Sequence, residues 1–202
     1  MLVAHGDLSI PASSEALQCH HLTNHWVLSS SIGGTIKVYD SLQPVIPFIL
    51  KQQLVSVYRS YCVGVNGLLK VTAACPQKQM GANDCGLFTI ANMVSLCNGE
   101  DLGRIRFLQH RMRDHLIKCF DDGRMCSFPQ RKLDAEYIEA EQGTTISKYC
   151  NCLRYKPGIA MIQCSSCNNF YHDNCINISG KDVISIITDD KYVCKKCNIN
   201  IK

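Results

Sequence analysis

Eight residues near the end of the chain limit its possible folds more than any other feature. Cys150-x-Cys152 is followed by Cys164-x2-Cys167, then His172-x2-Cys175, then Cys194-x2-Cys197. Four pairs of soft or borderline donors match two tetrahedral zinc sites, which need four ligands apiece. Few large apolar residues lie between the pairs, and a core that small could not offset the chain entropy of the segment without such staples. Of the 14 cysteines, seven fall between Cys150 and Cys197 and the others are scattered over the first 149 residues. The chain opens without a basic run and a following apolar stretch, and no window approaches about eighteen uninterrupted apolar residues. Neither a signal peptide nor a membrane partner is expected. In a reducing intracellular compartment, clustered cysteines point to metal rather than to disulfides.

Charge is distributed unevenly. Residues 148–202 carry 8 Lys/Arg and 4 Asp/Glu, whereas residues 1–147 carry 13 of each. Metal binding cancels most of that basic excess. A site of three thiolates and a histidine contributes about −1, and a four-thiolate site about −2, leaving the loaded tail near +1. No direct, sequence-specific nucleic-acid partner is expected from so small a charge.

Ahead of the tail, strand-like and helix-like stretches alternate, which predicts an α+β domain. Ala16–Leu22 and His25–Ile32 read as strands, Gly33-Gly34 as a hairpin turn, and Thr35–Ser41 as the returning strand. An apolar helical stretch runs from Pro44 to about Ser60, and Gly67–Ala74 is a further strand. Asp84–Cys97 and Arg104–Phe120 read as helices, the second rich in charge. Arg104, Arg106, Arg111, Arg113 and Lys118 on it are expected to form a solvated face. From 123 to 147 the apolar pattern thins and acidic residues gather, so that stretch is expected to be a linker.

The ligand order, four cysteines, a histidine, then three cysteines, resembles the PHD finger family; a RING finger would place its histidine fourth. The resemblance implies a small two-zinc cross-brace over 148–199. Cys150, Cys152, His172 and Cys175 would hold one ion, and Cys164, Cys167, Cys194 and Cys197 the other. Tyr192 stands where the family usually has Trp. Many PHD fingers read histone tails, and Tyr149, Met161 and Phe170 fall where methyl-lysine cage residues often fall. The same three residues would equally make the miniature core. Ser165 stands where arginine-gripping readers often carry Asp.

A second constellation lies upstream. His25-Trp26-Val27-Leu28, Val38-Tyr39-Asp40-Ser41-Leu42 and Gln77-Lys78-Gln79-Met80-Gly81-Ala82-Asn83-Asp84-Cys85-Gly86 resemble the Ulp/SENP family of ubiquitin-like-protein proteases. The order His, Asp, Gln, Cys matches, as does the Gln six residues before the Cys. The resemblance implies a papain-like cysteine protease fold over 1–122. Cys85 would be the nucleophile, His25 the base and acid, Asp40 its orienter and Gln79 an oxyanion donor. Trp26 would line the substrate channel, and catalysis would need no cofactor. Cys85 at a helix N-terminus agrees with that role, because the helix dipole favours the thiolate. The likeness covers roughly 16–120. Only 24 residues precede His25, so the upstream part of the family's domain is expected to be missing.

The two resemblances imply a thiol protease that cuts peptide or isopeptide bonds after a ubiquitin-like modifier of the SUMO type. A PHD finger would target it to chromatin, in the nucleus or else the cytoplasm. The pairing also fits a protein of mobile-element origin. The alternative is a protease remnant without catalysis, acting as a zinc-dependent chromatin or histone-tail binding protein.

Overall fold

The computed structural model describes residues 10–12, 14–62, 68–146, 150, 152, 161–167, 169–177 and 192–199. The chain divides into two bodies. One comprises Ser13–Leu50 and Lys70–Thr144; the other comprises Met1–Ala12, Lys51–Leu69 and Thr145–Lys202.

The first body is built on a mixed sheet, and its opening strands follow the sequence closely. β1 (Leu17–Leu22) and β2 (His25–Ser30) pair antiparallel, with Leu22 opposite His25 across a two-residue turn. β2 then pairs antiparallel with β3 (Ile36–Tyr39). Between them, Gly33 and Gly34 have φ of 74° and 75°, a conformation that costs glycine little and most other residues more. Alternation along β3 buries Ile36 and Val38, and Asp40 just beyond it is buried on the same period.

β3 pairs parallel with β4 (Leu69–Cys75), in the register Ile36 opposite Val71 and Tyr39 opposite Ala74. Parallel neighbours need a long connection, and here it includes helix α1 (Phe48–Val57). Chain order along the five-stranded sheet is β1, β2, β3, β4 and β7 (Ala140–Ile146).

Helix α2 (Cys85–Cys97) and helix α3 (Gln109–Asp121) contribute to one apolar cluster of this body. Phe88, Ala91, Leu102, Ile105, Phe107, Met112 and Phe128 pack as one buried cluster. Its rings meet edge to face: Phe88 and Phe107 have centroids 6.0 Å apart at 83°, and Phe107 and Phe128 6.5 Å apart at 75°. Such pairs contribute beyond their buried area.

Two expectations fail in detail. Arg104–Phe120 is not one helix. Ile105–Phe107 forms β5, which buries Ile105 and Phe107 and pairs antiparallel with β6 (Gln130–Lys132) before α3 begins. Three residues are too few for period 2 and period 3.6 to be told apart. The 123–147 stretch, expected as a linker, carries β6 and the whole of β7. Its strands are polar and largely exposed, so backbone pairing holds them and apolar alternation gave no signal.

In the second body, Ile10 N–H donates to Val57 C=O at 2.9 Å, and the Ser60 hydroxyl donates to Ile10 C=O. Here too a two-stranded ladder, β8 (Met161–Gln163) with β9 (Phe170–His172), is followed by short helices α4 (Asp173–Ile176) and α5 (Lys195–Ile199).

Phe88, at 1% exposure, sits at the centre of the α2–α3 cluster. Phe88→Ala is expected to lower the unfolding free energy of the first body by about 3–5 kcal/mol. Urea unfolding followed by fluorescence of Trp26, the single tryptophan of the chain, measures it.

Candidate metal centres and candidate active site

β8 and β9 position the finger's ligands. Cys164 follows β8 and Cys167 lies in the turn that leads to β9; His172 ends β9 and Cys175 lies one turn into α4. Cys194 immediately precedes α5 and Cys197 lies within it. Two groups result: Cys150, Cys152, His172 and Cys175, and Cys164, Cys167, Cys194 and Cys197, the donor atoms of each within 4.8 Å of one another.

The spacings inside these groups test whether zinc fits. A tetrahedron with zinc–sulfur bonds of about 2.3 Å has edges of about 3.8 Å. Cys167 Sγ lies 3.8 Å from Cys194 Sγ, and His172 Nδ1 lies 3.3 Å from Cys152 Sγ and 3.8 Å from Cys175 Sγ. The donor sets are three thiols with one imidazole, and four thiols. Both are sets that structural zinc takes, and the crossed pairing matches the expected one. Zinc is the structural cofactor of this region, and four protein donors in each group fill a tetrahedral site.

The thiols are already prepared for it. Burial raises the Cys194 thiol, but hydrogen bonds from the Tyr171 hydroxyl and from Cys197 outweigh burial and bring it down to about 6. Cys150 and Cys164 are also lowered. Burial again opposes ionisation, and N–H donors of Cys152 and His172, and of Cys194 and Cys167, overcome it. Cys194 N–H reaches Cys164 Sγ at 3.2 Å. Cys197 goes the other way. Its hydrogen bond with Ser166 lowers it, yet the neighbouring sulfurs of Cys194, Cys167 and Cys164 push it up to about 12. Four sulfurs this close cannot all ionise without a cation between them.

Of the proposed cage residues, Tyr149 lies outside the described residues. Met161 opens β8 and Phe170 opens β9, at opposite ends of the ladder. Pairing of Met161 with His172 and of Gln163 with Phe170 puts all four on one face, while Ile162 and Tyr171 are buried on the other. Tyr171 also packs edge to face on Tyr192, centroids 6.0 Å apart, so Tyr192 does take the place of an aromatic core residue.

In the first body, β2 begins with His25 and Asp40 follows β3. The strand pairing brings them together, and His25 Nε2–H donates to Asp40 Oδ1 at 2.8 Å. The same oxygen accepts from Leu42 N–H at 2.7 Å, which fixes the carboxylate. A carboxylate only accepts, so Nε2 carries a proton in this pair, and Nδ1 is the second ring nitrogen. That Nδ1 is buried and has no hydrogen-bond partner.

Cys85, at 6% exposure, is the first residue of α2. Trp26, next to His25, lies against the following residue: its Cδ1 is 3.7 Å from where a Cβ on Gly86 would stand. Gln79 is buried beside Ser41, whose hydroxyl donates to Gln79 Oε1 at 2.6 Å; Gln79 N–H donates to Ser41 C=O at 2.8 Å. One amide hydrogen of Gln79 goes to Gly81 C=O at 2.9 Å. Sequence reasoning missed the residues that hold this loop. Asp84 stands at the N-cap position of α2, yet its side chain makes no capping bond; it pairs instead with Arg113 and Gln109 on α3.

Comparison with known families places one likeness on the chain. The model of the ASH2-type PHD zinc finger matches residues 158–202. The tail is thus similar to an ASH2-like PHD finger. The match starts beyond Cys150 and Cys152, which the structure nonetheless gathers around His172 and Cys175. No curated protein and no solved structure matches the chain. Among the described residues, no helix is long and apolar enough to cross a membrane.

Each group should hold one ion. Cys194→Ala is expected to lower the metal content of the purified chain from two zinc ions to at most one, measured by elemental analysis. Chelation of both should abolish the near-ultraviolet circular dichroism of the Tyr171–Tyr192 pair.

Proposed function

We propose that this chain is a zinc-dependent chromatin-binding protein of the nucleus, whose finger takes an extended histone tail. The observation that carries this reading is the coincidence of the two crossed donor groups with the PHD-type match over 158–202. PHD fingers commonly bind histone tails and are typical of nuclear chromatin proteins. A peptide would add as a strand to the β8–β9 ladder, its backbone supplying affinity and side-chain pockets supplying choice. Met161 and Phe170, on one face of that ladder, are the residues proposed to meet a methylated lysine, together with Tyr149. Zinc-loaded chain should bind histone-tail peptides and lose them on chelation. Phe170→Ala should weaken a trimethyl-lysine peptide about fivefold more than its unmodified form, by isothermal titration. Equal binding of modified and unmodified peptides removes the cage; no binding of any tail removes the reading.

A second reading rests on the first body: a thiol hydrolase acting after the C-terminus of a ubiquitin-like modifier. The His25–Asp40 hydrogen bond, the unpartnered Nδ1 and the adjacency of Trp26 to the start of α2 support it. In that chemistry the His25 ring takes the Cys85 thiol proton and the sulfur adds to the scissile carbonyl carbon. The C–N bond then breaks as the imidazolium returns the proton to the leaving amine. Water hydrolyses the thioester, losing its proton to His25, and the acid and the free thiol result. SUMO and ubiquitin carrying thiol-reactive C-termini should form a covalent adduct with the wild-type chain and none with Cys85→Ala. Absence of any Cys85-dependent adduct leaves the first body a binding scaffold.

A further inference from the structure

The loop from Gln77 to Asp84, which leads into Cys85, is held by two glutamine clasps that face each other. Gln77 Nε2 donates to Phe107 C=O at 3.0 Å, and Phe107 N–H donates to Gln77 Oε1 at 2.7 Å. From the other side, Gln109 Nε2 donates to Met80 C=O at 2.8 Å and Met80 N–H donates to Gln109 Oε1 at 2.7 Å. The loop therefore grips the backbone of the segment that starts α3, and α3 grips the backbone of the loop. The second hydrogen of Gln109 Nε2 goes to Asp84 Oδ2 at 2.7 Å. Every hydrogen-bonding direction of that amide on its donor side, and one on its acceptor side, is thus committed. Arg113, four residues further on α3 and so on the same face, donates to the other oxygen of Asp84.

The N–H groups inside the loop are claimed one after another. Lys78 N–H donates to Glu139 Oε2 at 2.8 Å, Gln79 N–H to Ser41 C=O at 2.8 Å, and Met80 N–H to Gln109. Three successive peptide groups are pinned by three different segments. What they leave poised is the Gln79 side chain. Ser41 holds its oxygen and Gly81 C=O takes one of its two amide hydrogens, so the other is uncommitted. Met80, the residue between, is 72% exposed and contributes no packing of its own. A loop tip this exposed would move unless its backbone were tied.

We propose that Gln109 and Gln77 are positioning residues for the thiol-hydrolase site, fixing the Gln79 amide where an oxyanion would form beside Cys85. The inference rests on the thiol-hydrolase reading. Preorganised donors matter most when charge develops on the substrate oxygen, and a misplacement of about 1 Å is enough to lose most of the effect. Arg113 acts through Asp84 on the same loop.

Two reagents separate positioning from simple stability. A peptide aldehyde ending in Gly-glycinal adds to a cysteine as a tetrahedral adduct, whose oxygen needs the donors. Iodoacetamide alkylates the same sulfur without forming any oxyanion. Gln109→Glu keeps the side-chain volume and the acceptor for Met80 N–H, while both donors are lost. Gln77→Glu does the same towards Phe107. In the full zinc-loaded chain, each variant should weaken aldehyde binding about tenfold or more, with the rate of Cys85 alkylation, mapped by mass spectrometry, within about twofold of wild type. Equal loss in both assays, or loss in neither, overturns the positioning role. A wild-type chain that is alkylated at Cys85 yet forms no aldehyde adduct overturns the hydrolase reading itself, and this inference with it.

Discussion

Seven cysteine sulfurs and one imidazole nitrogen, gathered into two groups with donor atoms within 4.8 Å, do not stay together on packing alone. Each buried thiol is drawn towards ionisation by nearby N–H and hydroxyl donors, and each thiolate that forms raises its neighbours. A divalent cation resolves that conflict, and in doing so it ties the chain to itself. Because the pairs cross, the ion held by Cys150, Cys152, His172 and Cys175 and the ion held by Cys164, Cys167, Cys194 and Cys197 interlock segments far apart in sequence. The β8–β9 ladder of three residues per strand is too short to stand by itself, and the metal sites at its ends are what keep it paired. Binding energy for zinc is in this sense folding energy for the finger.

The first body uses hydrogen bonds where the finger uses metal. Asp40 Oδ1 receives both the His25 Nε2–H and the Leu42 N–H, with the Asp40 N–H bound to Ala74 C=O at 3.0 Å. The imidazole is thereby held with Nε2 towards Asp40, at the edge of two hydrogen-bonded strands. The loop before Cys85 is held by the same means, through side chains that reach backbone groups about thirty residues away. Rigid placement of polar groups in a half-buried setting is what a reactive thiol requires, and equally what a specific binding surface requires.

The legible parts of the sequence were those written in short-range pattern. Ligand spacing read directly as two zinc sites, because two residues on one turn can reach one ion whatever the rest of the chain does. Gly33-Gly34 between alternating apolar residues read as a hairpin, and Asp84–Cys97 as a helix. What was not legible is long-range. β6 and β7 are polar strands that exist because a partner edge needs them. Gln77, Gln109 and Arg113 carry no motif that marks them as partners of a loop across the fold. Asp84 stands at the start of α2 and its side chain serves another helix instead, a choice that depends on where α3 lies.

The extended X-ray absorption spectrum at the zinc edge tests the crossed two-ion centre most directly. Two zinc ions per chain, with seven sulfur and one nitrogen ligand between them, correspond to the donor groups described above. A single ion per chain, or a shell rich in oxygen, would contradict the cross-braced finger on which the proposed chromatin binding depends.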